Sequence, residues 1–272
     1  MKFAFKSIVV AAAFVAAGAA NAATAILDGT TVQQGVTADG IGALTFSEDL
    51  MGALATGKVT LGAFGGAALT YTDLPSYDPE VGTYSAAVVA ADISSLSYND
   101  STGKVTSVVS VGGASQSMPK TTAIKAGGGN AEVGNLTVNF QADGSAIIDG
   151  SIIGTSLAGK VVNFSGALFT VSAANISGVT TFTTTPGSYS TQLTNLAITS
   201  AGFAALSDVF GLVSGGSAYL ALQGAAANFG TLNSTITVKA ASVTPAVPEP
   251  STYALMGVGL VGLGLMARRR AK

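Results

Sequence analysis

The chain has 272 residues and a formal net charge of −2, with 35 glycines and no cysteine, histidine or tryptophan. Without Cys there is no disulfide, thiolate nucleophile or Cys-ligated zinc, and without His there is no Ser-His-Asp or Cys-His catalysis. Only 10% of the residues are charged, and between Ala23 and Val247 six lysines face 13 carboxylates, a net of −7 that repels nucleic-acid phosphates.

Residues 1–22 have the three zones of a secretory signal peptide. Lys2 and Lys6 form a positive start, Ile8 to Ala20 a short apolar stretch, and Ala20-Asn21-Ala22 an A-x-A cleavage site before Ala23. The peptidase pockets admit little more than a methyl group, which is why small residues stand there. About 13 apolar residues are too few to span a ~30 Å hydrocarbon core, so a retained membrane helix is disfavoured. Signal peptidase and Sec-type export machinery are the partners this leader implies.

Residues 23–245 read as short strands separated by Gly, Asn, Asp and Ser. In chain order, strands are predicted around Val59 to Phe64, Tyr84 to Ala90, Ile93 to Tyr98 and Lys104 to Val111. They continue with Leu136 to Phe140, Lys160 to Phe164, Leu168 to Val171, Val179 to Thr183, Leu193 to Thr199 and Ile236 to Lys239. Asn99 to Gly103 predicts one hairpin loop and Asp143-Gly144 a second. A single helix is predicted from a Ser200 cap, with Phe203, Leu206 and Phe210 on one face and Gly211 at its end. About ten strands at this spacing predict a mainly β body, a β-sandwich or jelly-roll, with a β-solenoid as the alternative. The absence of a fixed-period repeat counts against the solenoid.

Chemistry in this body would have to come from carboxylates, Lys, Tyr and hydroxyls. Glu48-Asp49 and the group Asp73, Asp78 and Glu80 are the notable acidic clusters. A glycosidase needs two carboxylates facing each other across a sugar, which spacing alone does not establish. Asp73 to Glu80 could offer oxygens to calcium, but no EF-hand or Gly-Asp repeat accompanies it, so it reads as a solvated loop. Asp143-Gly144 and Asp149-Gly150 read as turns, and the sequons at Asn99, Asn135, Asn163, Asn175 and Asn233 as chance in a Ser/Thr-rich chain. Exposed threonines from Thr180 to Thr185 could accept O-linked sugars, though β-propensity also accounts for them. No catalytic residue, metal site or cofactor is predicted.

Residues 246–272 carry the strongest pattern. Val247-Pro248-Glu249-Pro250 precedes an uncharged stretch from Ser251 to Ala267, and Arg268-Arg269-Arg270 follow directly. Seventeen residues are at the short limit for a membrane helix. The three arginines hold the end on the cytoplasmic side and so leave the body outside. Gly257, Gly259 and Gly262 match G-x-G-x-x-G, but a dinucleotide fold needs a strand before it and an acidic residue ~20 positions on. Together with Gly264 they instead give a slim helix face for membrane packing. Both prolines lack a backbone donor and fix φ, so the motif stays extended and presents Glu249 as a lone charge. Thr244 to Pro250 could also serve only as a stiff linker to a permanent anchor.

In that order, Pro-Glu-Pro, a short membrane helix and an Arg cluster behind an N-terminal leader resemble the PEP-CTERM sorting signal of Gram-negative bacteria. The resemblance implies transient anchoring in the inner membrane and processing by exosortase, a membrane-embedded Cys-type transpeptidase. Proteins with this signal accompany exopolysaccharide and biofilm production, which makes exopolysaccharide a candidate partner. The expectation is a structural or adhesive protein of the cell surface or extracellular matrix, without enzyme activity. The alternative is an exported carbohydrate-binding or carbohydrate-cleaving domain. N-terminal sequencing of the exported protein from its host should begin at Ala23; an intact Met1 or Lys2 would contradict the leader reading.

Overall fold

Alternation of apolar and polar side chains builds most of the described chain into antiparallel strands. The computed structural model describes residues 22–73, 85–241, 255 and 258. The first part of the body comprises β1 (Ala22–Ile26), β2 (Val36–Phe46), α1 (Glu48–Thr56), β3 (Thr60–Phe64) and β4 (Ala68–Asp73). Then come β5 (Ser85–Asn99), β6 (Val105–Val111), β7 (Gly113–Met118), β8 (Gly129–Phe140), β9 (Ala146–Ser156) and β10 (Val161–Val171). The last part holds β11 (Ile176–Gly178), β12 (Gly187–Leu193), β13 (Ala197–Ile198), α2 (Ser200–Val209), α3 (Ser217–Gly224) and β14 (Gly230–Ala240). In β9 the pattern is plain: Ala146, Ile148, Gly150 and Ile152 are buried and Ile147, Asp149 and Ser151, alternating with them, are more exposed.

One hydrogen-bonded path runs β11-β12-β14-β2-β5-β6-β8-β9-β10-β13. The chain needs only Thr194, Asn195 and Leu196 to pass from β12, near one end of this path, to β13 at the other. The sheet must therefore curl until its ends approach. Leu196 completes the closure, donating its N–H to Gly230 and accepting one from Phe229, while Ala197 and Ile198 pair with β10. The expected mainly β body is present as one curled antiparallel sheet, and its continuous path does not divide into two separate layers. All strand pairings among the described residues are antiparallel, unlike a stack of parallel coils.

Two long strands exchange partners halfway. β5 pairs with β4 along its first half and with β6 along its second, and β8 pairs first with β7 and then with β6. The exchange is made where β6 breaks into β7 at Gly112 (φ 92°), opposite a bulge of β8 at Asn135 (φ 51°). Gly112 donates its N–H to Asn135 Oδ1 at 3.0 Å, and its carbonyl accepts the Asn135 N–H at 2.9 Å. A Cβ at Gly112 would lie 2.6 Å from the Phe64 carbonyl oxygen, so only glycine fits.

The main core lies between the curled sheet and the three helices, around Phe46, Leu54, Ile148, Ile152, Leu206 and Phe229. Each such side chain, fully buried, contributes about 1.5–3 kcal/mol. A second core beneath β1 gathers Ala25, Leu27, Val36, Ile93, Leu96, Tyr98 and Val238. Inside the main core, an apolar cavity of about 80 Å³ is bordered by small residues including Gly42, Ala91 and Ala114.

Both predicted hairpins form. Asn99 Oδ1 accepts from Ser101 and Thr102 to close the β5–β6 loop, and Asp143 accepts from Ser145 between β8 and β9. Other expectations change. Ser85 to Ala90 and Ile93 to Tyr98 belong to one strand (Tyr84 lies outside the described residues), as do the two segments of β10, which bends through a bulge between Ala167 and Phe169. Val179 to Thr183 is not a regular strand: Gly178 (φ 92°) turns the chain out of β11, and Thr181 makes one bridge to Lys104. Leu193 to Thr199 is strand only at its two ends, because Asn195 takes φ 52°. The predicted helix is α2, capped one residue earlier, by Thr199 accepting from Gly202. α1 and α3 are additions to the single helix predicted.

Two glycine substitutions separate the roles of space and backbone. Gly112→Ala should cost at least ~2 kcal/mol, because both φ and the Phe64 carbonyl oppose a side chain. Gly42→Ala meets nothing nearer than 3.8 Å and should stabilise by about 0.5–1 kcal/mol. Urea unfolding of the two variants checks both signs.

Candidate functional site

The body begins and ends at one pole. Ala22 and Ala23 open β1 opposite Asn99 and Tyr98, and Ala240 closes β14 opposite Val36. Val36, Tyr98 and Val238 belong to the same small core, with Ala23 packed against it. The pole is held by polar contacts as well. Lys239 Nζ lies 2.7 Å from Asp39 Oδ2 across β14 and β2, both side chains partly exposed. Asp28, just after β1, accepts from the Thr30 N–H, the Thr31 N–H and the Thr31 hydroxyl. The Thr31 hydroxyl first, then the two amides, hold the Asp28 carboxyl well below the usual carboxylate range. Ser145 lowers Asp143 in the same way, hydroxyl first and amide second.

The acidic residues singled out in the sequence have structural positions. Glu48 and Asp49 occupy the first turn of α1, behind the Ser47 cap, where negative charge suits the helix dipole. Asp149-Gly150, expected as a turn, instead lies inside β9 paired to β8, and Asp149 accepts from the Asn139 amide at 2.8 Å. A further carboxylate, Asp208, pairs with Lys160 at 2.8 Å on the surface. Asp73 ends β4, whereas Asp78 and Glu80 lie outside the described residues. Among the described residues no group of three His, Cys, Asp or Glu side chains is placed to hold a metal.

Four of the five sequon asparagines serve the backbone or a neighbouring side chain: Asn99 closes its loop, Asn135 the Gly112 junction, Asn175 accepts from Asn195, and Asn233 accepts from Gln192. An open trough crosses β3, β7, β8 and β9 on the outside of the sheet, lined by Thr60, Ser115, Ser117, Asn130, Glu132 and Thr155. Its lining has one carboxylate and no aromatic ring, so the facing carboxylates of glycoside hydrolysis are not assembled there.

The second part of the site is the tail. Ala20, the Pro248-Glu249-Pro250 motif and Arg268-Arg269-Arg270 lie outside the described residues. Of the predicted membrane helix, Leu255 and Val258 are described, and both are helical and exposed. Among the described residues no helix is long and apolar enough to cross a membrane. The family model of the PEP-CTERM protein-sorting motif matches residues 246–270. No curated protein and no solved structure matches the chain. The tail thus carries a PEP-CTERM motif, and the body is assigned to no specific family.

Asp28 gives the pole a defined response to acid. Its carboxylate is lowered by folding, so its stabilisation is complete above the ordinary carboxylate range and is lost as pH falls through that range toward the folded value. Asp28→Asn keeps the shape of the turn and removes the charge. The variant should be less stable than the parent at neutral pH, with the gap closing below about pH 4, in thermal melts run across pH.

Proposed function

We propose that the chain is an exported structural or adhesive protein of the cell surface or extracellular matrix, with no catalysis of its own. The leader is removed between Ala22 and Ala23, the tail holds the protein in the inner membrane, and an exosortase-type membrane enzyme processes it at Pro248-Glu249-Pro250. The motif match over residues 246–270 carries the reading, since that motif indicates an exported protein anchored transiently in the membrane before surface release. A stretch of 17 uncharged residues followed by three arginines fits a temporary stop better than a durable span.

The body supports a structural role by what its outer faces offer. Ser188 and Thr237, Ser190 and Thr235, and Gln192 and Asn233 pair side chain to side chain across β12 and β14. Such uncharged polar ladders suit a surface that must stay hydrated while packed among neighbours. They would also tolerate contact with exopolysaccharide, the partner suggested by the family's association. The zero count of His and Cys supports the non-enzymatic reading.

Fractionation with one tag in the body and another after Lys272, in cells with and without an exosortase, tests the proposal. Glu249→Ala, or replacement of both prolines, should leave insertion intact and trap the doubly tagged protein in the inner membrane. Replacing Arg268, Arg269 and Arg270 should disturb retention and orientation before any cut. Equal delivery of the body tag from the Pro-Glu-Pro variants, or without the enzyme, would reduce the motif to a linker.

A further inference from the structure

We infer that the leader must be cut before the body folds, because its scissile bond lies inside a strand, whereas the tail motif is far enough along the chain from the last strand to be reached afterwards. The inference rests on the processing sites proposed above and adds their order. Ala22 and Ala23, which flank the leader cut, pair with Asn99 and Tyr98, and β1 stays in register through Ile26 opposite Ser95. Beyond the strand, Leu27 donates its N–H to the Ser94 carbonyl at 2.9 Å. Ala25 and Leu27 are buried in the second core at 1% and 4% exposure, against Ile93 and Leu96.

A processing peptidase receives its substrate as an extended chain whose backbone groups bond to the enzyme, the mode by which a peptide adds to a sheet edge. The backbone of Ala22 and Ala23 cannot serve β5 and the peptidase at once. Docked β1 therefore withholds the cut site, and releasing it means drawing Ala25 and Leu27 out of the core. The order is favoured by the sequence itself. β1 has no partner until Tyr98 and its neighbours arrive, about 75 residues further along the chain, and long-range pairing forms late. During that interval the bond is free.

The other end is arranged differently. β14 is paired as far as Ala240, opposite Val36, and Pro248 comes eight positions later. The seven residues between can reach up to ~25 Å when extended, so the motif can be engaged with β14 still in the sheet. A molecule that folds with its leader attached hides its own cleavage site, while the length of chain after β14 lets the tail motif be reached without opening that strand.

The test uses full-length precursor in detergent with purified signal peptidase. One sample is diluted from denaturant directly onto the enzyme, and the other is refolded first. The refolded precursor should be cut roughly 100-fold more slowly than the freshly diluted one, the scale of a locally protected segment. A Ser-Gly-Ser-Gly spacer between Ala23 and Thr24 moves the bond out of the strand and leaves β1 from Thr24 onward. That variant should be cut at equal rates before and after refolding. Leu27→Asp, which undocks β1, should restore cutting of the refolded chain. Equal cutting of the parent in both states, or a refolded spacer variant as resistant as the parent, would overturn the inference. Failure of even the freshly diluted precursor to be cut would remove the leader reading, and the inference with it. No exosortase is present, so the tail reading is untouched by either result.

Discussion

Gly112 and Asn135 exchange two hydrogen bonds where β6 gives way to β7, and the curl of the body depends on that exchange. A straight β6–β7 strand facing an unbroken β8 would keep the same neighbours along its whole length and give a flatter, open sheet. The break lets β6 stay with the second half of β5 while β7 leaves to carry β3. Gly65, at the β3–β4 turn, packs against the same break, where a Cβ on it would stand 2.7 Å from Gly112 Cα. Three backbone segments thus meet where side chains are excluded, and the adjoining strands diverge from that point. The main core fills the space so enclosed. α2 can enter it because β8 and β9 present bare backbone beneath its last turn, where a Cβ at Gly129 would lie 2.1 Å from the Val209 carbonyl oxygen.

Much of this was legible in the sequence where one local signal decided the outcome. Asn99 to Gly103 and Asp143-Gly144 carry their own turn chemistry, and each forms the hairpin it encodes. α2 was visible because its apolar residues recur with helical spacing on a chain that is otherwise alternating. The signals failed where structure depends on distant partners. Gly166 and the bulge near Ala167 look like a strand break, yet β9 pairs through them and keeps β10 whole. Val179 to Thr183 has strong β-propensity but forms only one bridge, from Thr181 to Lys104 just before β6. α1 and α3 are short and rich in Ala and Gly, so their apolar faces are faint, and packing against each other and the sheet stabilises them more than propensity does. The junction at Asn135 was invisible, since an Asn in αL conformation inside a β8-like pattern announces itself only once Gly112 is opposite.

The two processing sites differ in the same way. The tail motif was legible because it is read as linear sequence: Pro-Glu-Pro, then an apolar stretch, then three charges. The leader was legible as a pattern too, but its relation to the fold was not. Nothing in Ala20-Asn21-Ala22 indicates that the next residues form a strand seated in a small core, with its partner about 75 residues away. That strand places Ala23, the proposed start of the mature body, at the pole where β14 ends.

Intact-mass measurement of the protein released at the cell surface tests the central claim most directly, that the body is delivered after losing both address segments. The mass should correspond to a chain beginning at Ala23 and ending near Pro248-Glu249-Pro250, with any added surface anchor accounted for, and without Arg268-Arg269-Arg270. A surface species whose mass retains the sequence through Lys272 would contradict the account.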